Sequence, residues 1–243
     1  MGGEVESIGT DVPWAEARSA LAWWLAAGVD TPIQEEPRNW LKPAPAPKAQ
    51  GQAEPAPAPN IIQPSQETLA ELQEWLASSV QLPLAGPAAK RILPHGPAEP
   101  DVMLLSDSPS IDDATAGQPI GGVAWDLTKR MLAAIGIKAE RAYSASLNCF
   151  HSPGARMTAS EREACAGIAK RHIMLAKPKR LILFGDAPAQ ALLGKPLAQA
   201  RGHIHKVEGV RTVATFHPRT LVKQTSNKSY AWQDLLLLME DES

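Results

Sequence analysis

Two residues have the types and settings for proton or hydrogen-bond chemistry. They are His217, directly before Pro218, and Asp107, inside the segment Ser106-Asp107-Ser108-Pro109-Ser110. Proline fixes its own φ and pushes the preceding residue out of the helical region. His217 is therefore expected at a rigid turn, facing outward, where it can donate a hydrogen bond into a pocket. Behind it come Arg219, Thr220, Leu221, Lys223, Ser226, Asn227 and Lys228. Cationic, hydroxyl and amide side chains in one stretch suit contacts to phosphate oxygens.

Placing these residues requires a frame. Val102–Leu105, Ala142–Leu147, Arg180–Phe184 and Val210–Thr215 read as strands, the third being the clearest buried run. Helices are expected over 68–77, 125–135, 158–177, 187–193 and 229–239. Thr158 or Ser160 is the N-cap of the third, and Pro178 follows its end. Alternation of helices with continuous apolar strands predicts a three-layer α/β/α fold around a central, mainly parallel sheet. Ligands in such sheets bind beyond the carboxyl ends of the strands. Asp107 and His217 each follow a predicted strand, so they can meet at one site.

Apolar residues make up 44% and charged residues 21% of the 243 residues, ordinary globular usage. No apolar run approaches the roughly 18 residues of a membrane span, and no secretory signal is evident. Cys149 and Cys165 are the only cysteines, too few for a disulfide framework or a four-cysteine metal site. A cytoplasmic protein is expected.

The net charge of −2 conceals an asymmetry: residues 170–228 hold 12 Lys or Arg against 2 Asp or Glu, a balance of +10. Such a segment suits a polyanion, with a set of solvated helix faces as the plainer alternative. Residues 14–30 read as a short amphipathic helix closed by Gly28, and the six prolines of residues 42–59 read as part of a disordered linker. The expected organisation is an N-terminal helical segment (1–41), a Pro/Ala-rich linker (42–65) and a folded domain (66–243). Trp23 and Trp24 either pack back onto that domain or meet a protein partner.

Residues from about 66 to 240 resemble the uracil-DNA glycosylase superfamily, most closely its iron–sulfur family 4 branch. Four segments carry the resemblance: residues 106–122, with Asp107, Asp112-Asp113 and Gly117-Gln118-Pro119-Ile120-Gly121-Gly122; the helix Leu127–Leu132; Pro178 to Gly194; and Phe216-His217-Pro218-Arg219-Thr220-Leu221 followed by Lys228-Ser229-Tyr230-Ala231-Trp232-Gln233-Asp234-Leu235. The resemblance implies the superfamily fold, DNA as partner, and hydrolysis of the N-glycosidic bond of uracil or another deaminated base. His217 would be the donor toward the base oxygen and Asp107, or less readily Asp113, the carboxylate. Leu221 would be an apolar wedge, and Arg219, Thr220, Lys223, Ser226, Asn227 and Lys228 would grip phosphates. The plainer roles are a turn cap for Asp107 and a hydrogen-bonded turn residue for His217.

Departures from the pattern count as much. Family 4 holds a [4Fe–4S] cluster on four thiolates. Here Cys149 and Cys165 match the third and fourth, while Ser79-Val80-Gln81-Leu82 stands where the first two belong. No cluster is expected, and buried packing is the alternative role for both thiols. Ser106 and Ser110 replace glycines. In the base pocket Ile120 replaces a stacking Phe, and Ala145, beside Ser146, replaces a base-reading Asn; Asn148 is near but in another register. Three readings stay open: an active glycosylase, a catalytically weak DNA-binding and recruitment module, and an interaction protein whose basic face meets an acidic partner.

Overall fold

The structure, a computed structural model, describes residues 18–19, 22–24, 65–86, 88–155 and 157–240. The chain divides into two units, Met1–Pro55 and Ala56–Ser243. In the first, the described residues are helical and fall within the helix expected at 14–30. Apart from Ser65, the expected linker lies outside the described residues.

Seven strands are described in the second unit: β1 (Lys90–Arg91), β2 (Val102–Ser106), β3 (Ala142–Ser146), β4 (Phe150–His151), β5 (Arg180–Phe184), β6 (His205–Val207) and β7 (Val210–Thr215). The main sheet has the order β3-β2-β5-β7-β6. Its first four strands are parallel, and β6 closes one edge antiparallel to β7. β1 and β4 form a small separate antiparallel pair.

Side chains alternate across a strand, and this sheet is covered on both faces. Met103, Leu105, Tyr143, Leu181 and Leu183 point to one side, where Cys165, Ala169 and Ile173 of helix Ala159–Ala176 and Ala189 of helix Asp186–Leu193 meet them. Val102, Leu104, Ile182, Phe184 and Val213 point to the other, against Ala124 and Leu132 of helix Gly122–Ala134 and Leu235 and Leu238 of helix Lys228–Met239. Burying each such large aliphatic or aromatic side chain contributes about 1.5–3 kcal/mol. Leu72 and Leu76 of helix Leu69–Ser78 join Leu82, Cys149, Phe150 and Ile168 in a third cluster.

Helix starts follow local chemistry. Thr158 accepts from Glu161 N–H at 3.2 Å and Glu161 accepts from Thr158 N–H at 2.8 Å, so two backbone donors at the helix start are satisfied reciprocally. Three short α-helices were not expected from sequence, Leu197–Ala200 among them. Ile111–Ala116 begins at Ser110, and Pro218–Lys223 begins directly after His217 with the proline in its first turn. Proline is favoured there because its missing N–H would have no helical partner anyway. Pro218 therefore starts a helix instead of a turn. No described helix is long and apolar enough to cross a membrane.

Candidate active site

The loops after β2, β5 and β7 meet at the carboxyl edge of the sheet. β5 lies between the other two strands, and its chain leaves sharply through Gly185 at φ 95°, a conformation that suits glycine. Gly185 N–H donates to Thr215 O at 2.9 Å, tying this turn to the end of β7. Asp107 from β2 and His217 from β7 thereby face each other, with His217 Nε2 3.9 Å from Asp107 Oδ1.

His217 caps helix Pro218–Lys223: its Nδ1 accepts from Arg219 N–H at 3.1 Å. The expectation that it faces outward is corrected, for it is 5% exposed, with its ring tilted over Phe184 at 5.9 Å. Burial, then the adjacent Arg219 guanidinium, lowers its pKa to about 3. The imidazole is thus neutral at neutral pH. Because Nδ1 accepts, the single ring proton is on Nε2, the nitrogen nearer Asp107.

Arg219 turns inward. Its Nη2 donates to Asp107 Oδ1 and, at 3.3 Å, to Ser108 O, and lies 3.2 Å from His217 Nε2. Burial raises the Asp107 pKa; Arg219 opposes that rise and Asp113 adds to it.

Asp113 is fully buried and holds the loop together. Its Oδ2 accepts from Ser110 N–H and Oγ–H, both at 2.7 Å, and its Oδ1 accepts from Gly121 N–H at 2.6 Å. These bonds make it a positioning residue, although its Oδ2 lies 3.9 Å from Arg219 Nη1. The signal was present in the sequence as Ser110 followed three residues later by a carboxylate. Serines in place of glycines leave the loop unstrained, since no residue from Ser106 to Ser110 has a positive φ.

Asp107, His217, Arg219, Thr220, Lys223 and Gln224 line a pocket of about 280 Å³. The three residues expected in a base pocket are elsewhere. Ile120 and Ala145 are fully buried in the two sheet cores. Ser146 bonds Ser106, Oγ to Oγ, at 3.1 Å and lines a different cavity. Asn148 contacts Ser108 through Nδ2 and accepts from Phe150 N–H at 2.7 Å, so its amide serves the loop. Leu221 is 1% exposed and cannot act as a wedge from that position; Val222, 40% exposed, is its outward-facing neighbour. Lys223, Ser226 and Lys228 are exposed, and Thr220 and Asn227 half-buried, along one continuous stretch.

Cys149 and Cys165 line a second cavity with Leu76, Leu82, Ile168 and His172. Its volume is about 20 Å³, room for little more than one water. Burial pushes the two thiols up to about 11 and about 12, so both are protonated. Leu82, within the segment that would carry two more ligands, is packed into the core beside Cys149. Two thiols among aliphatic side chains, in a cavity of about 20 Å³, do not fit a cluster that needs four thiolate ligands. Among the described residues, no group of three or more His, Cys, Asp or Glu is placed to hold a metal ion.

A family model described as the uracil DNA glycosylase superfamily matches residues 93–236. The type-4 uracil-DNA glycosylase of Archaeoglobus fulgidus is 24% identical over 138 residues, covering 52% of this chain and 69% of the relative. That of Pyrobaculum aerophilum is 23% identical over 180 residues, covering 70% and 92%. With a parallel sheet that brings the Asp107 loop and the His217-Pro218 segment to one edge, and a family match across more than half of its length, the chain belongs to the uracil DNA glycosylase superfamily.

Proposed function

We propose that the protein is a DNA glycosylase that hydrolyses the N-glycosidic bond of uracil or another deaminated base. The observation that carries this reading is the approach of His217 Nε2 to Asp107 across a pocket at the carboxyl edge of the sheet. A base enters only after rotating out of the stack. As the C1′–N bond breaks, its electron pair passes to the base and the sugar becomes oxocarbenium-like. His217 Nε2–H donates to a base oxygen as negative charge builds there. Asp107, ionised, orients water toward C1′ and takes its proton as the C1′–O bond forms. Thr220, Lys223, Ser226, Asn227 and Lys228 hold the flanking phosphates. The chemistry is assigned to these side chains without an iron–sulfur cluster.

A second reading is a DNA-binding and recruitment module. It is favoured by the absence of any Phe, Tyr or Trp among the described residues lining the pocket, given that stacking is worth about 1–3 kcal/mol per base.

The test is abasic-site formation on oligonucleotides carrying one uracil, hypoxanthine or xanthine, with native protein and His217→Ala. Excision lost in the variant supports the enzyme. No excision by either, with salt-sensitive DNA binding in both, supports the module.

A further inference from the structure

Arg219 is drawn into the pocket by an ion pair with Asp107 and does not extend outward as a phosphate clamp would. It follows His217-Pro218 on a helix whose later residues Val222 and Lys223 are exposed, and its guanidinium points back into the pocket. Four groups hold it there: Asp107 Oδ1, Ser108 O, the more distant Asp113 carboxylate and the His217 ring, with Arg219 Nε 3.3 Å from Nδ1. Its Nη2 and His217 Nε2 are 3.2 Å apart, and with Nδ1 accepting from Arg219 N–H the tautomer that fits places the ring proton on Nε2. Two donors this close face a shared acceptor. In the free protein Asp107 Oδ1 comes nearest to that place, in contact with Nη2 and 3.9 Å from Nε2.

We propose that Arg219 and His217 form a paired-donor site for the oxygen of the departing base anion, and that Asp107 Oδ1 stands in for that oxygen until a base arrives. The proposal rests on the excision reading above. A neutral imidazole offers one uncharged donor, whereas a guanidinium adds a charge-assisted bond of about twice the strength. Base binding then exchanges partners: the base oxygen takes Nη2 and Nε2–H, and Asp107 is released toward C1′ and its water. Binding and activation of the carboxylate become one event. The pocket recognises its base by charge on oxygen, since its lining of Asp107, His217, Arg219, Thr220, Lys223 and Gln224 holds no Phe, Tyr, Trp or Asn.

The test uses the full chain with Arg219→Ala, Arg219→Gln and Arg219→Lys, each checked for an unchanged melting curve. Single-turnover excision of uracil is expected to fall about 100-fold in Arg219→Ala, with partial recovery in Arg219→Lys. The acid limb of the native pH profile reports Asp107, which Arg219, Asp113 and His217 face; it should move upward in Arg219→Gln. An independent arm measures binding of two free probes by calorimetry: barbiturate, an anion at neutral pH, and neutral uracil. Native protein should prefer barbiturate, and Arg219→Ala should lose about tenfold or more of that affinity with little change for uracil. Arg219→Ala that excises as fast as native, or binds barbiturate equally well, overturns the proposal while leaving the excision reading intact. Native protein that excises nothing, yet binds barbiturate through Arg219, removes the excision reading and supports the donor pair.

Discussion

Arg219 N–H donates to His217 Nδ1 at 3.1 Å, and that bond decides which end of the imidazole serves the pocket. His217 has two separable tasks: Nδ1 caps a helix and Nε2–H points toward Asp107. Asparagine is a good helix cap but does not extend as far. His217→Asn is therefore expected to keep stability within about 1 kcal/mol of native while excision falls about 100-fold. His217→Ala should lose both, with an added cost of about 1–3 kcal/mol. Urea denaturation and abasic-site assays on the same preparations separate the two effects.

Asp234 anchors the strand end that presents His217. Fully buried, it accepts from Thr215 Oγ–H at 2.7 Å, Gly202 N–H at 2.9 Å and Arg201 Nη2 at 3.2 Å. Arg201 in turn lies over the rings of Phe216 and Tyr230, 5.2 and 4.9 Å from their centroids. Removing the carboxylate leaves a cation and a hydroxyl without their partner, so Asp234→Ala should destabilise the domain by about 3–5 kcal/mol. Chemical denaturation measures this directly.

Two buried histidines should make the fold acid-sensitive. His172 accepts from Tyr143 O–H at Nε2, 2.8 Å away, while Tyr143 accepts from Gln73. Burial lowers the pKa of His172 to about 4 and that of His217 to about 3, from an ordinary value of 6.5. Between those values the unfolded chain binds more protons than the folded one, so stability rises with pH across this window. It is complete above about pH 6.5 and lost progressively below, by on the order of 3 kcal/mol per histidine at the acid end. Unfolding midpoints measured from about pH 7 to about pH 4 should fall, and His172→Gln should flatten the curve.

The phosphate contacts proposed for Lys223 and Lys228 predict a particular salt signature. Each alanine substitution should weaken DNA binding similarly for every sequence and reduce the slope of log K against log salt by about 1. Fluorescence anisotropy at several salt concentrations checks it. An unchanged slope in both would place the DNA on another face.

The strands were legible where burial on both faces made the sequence continuously apolar. Arg180–Phe184 and Val210–Thr215 match to the residue, and β2 and β3 to within one. The long helix was legible from Thr158 and Pro178, and the structure adds Glu161 as the partner of the Thr158 cap. Strands β1, β4 and β6 were not, because pairs and triplets of residues at an edge show no period. Helix Pro218–Lys223 was hidden because X-Pro reads equally as a turn or a helix start. Within the site, sequence placed Asp107 and His217 after facing strands. It could not give the direction of a long side chain, so Arg219 read as a phosphate contact like its neighbours. Ile120 and Ala145 were placed by correspondence with a motif, whereas burial in the sheet cores decides where they lie.

The buried Asp113 carboxylate has a consequence for sequence latitude. By gripping Ser110 at one end and Gly121 at the other, a single side chain sets the span of the whole connection. Residues between and around its grip are relieved of holding the loop in shape, and none from Ser106 to Ser110 needs a backbone conformation reserved for glycine. The connection therefore behaves like a clasp with interchangeable links. Asp107 is thereby presented by a loop whose ends are held at Asp113, away from the pocket itself.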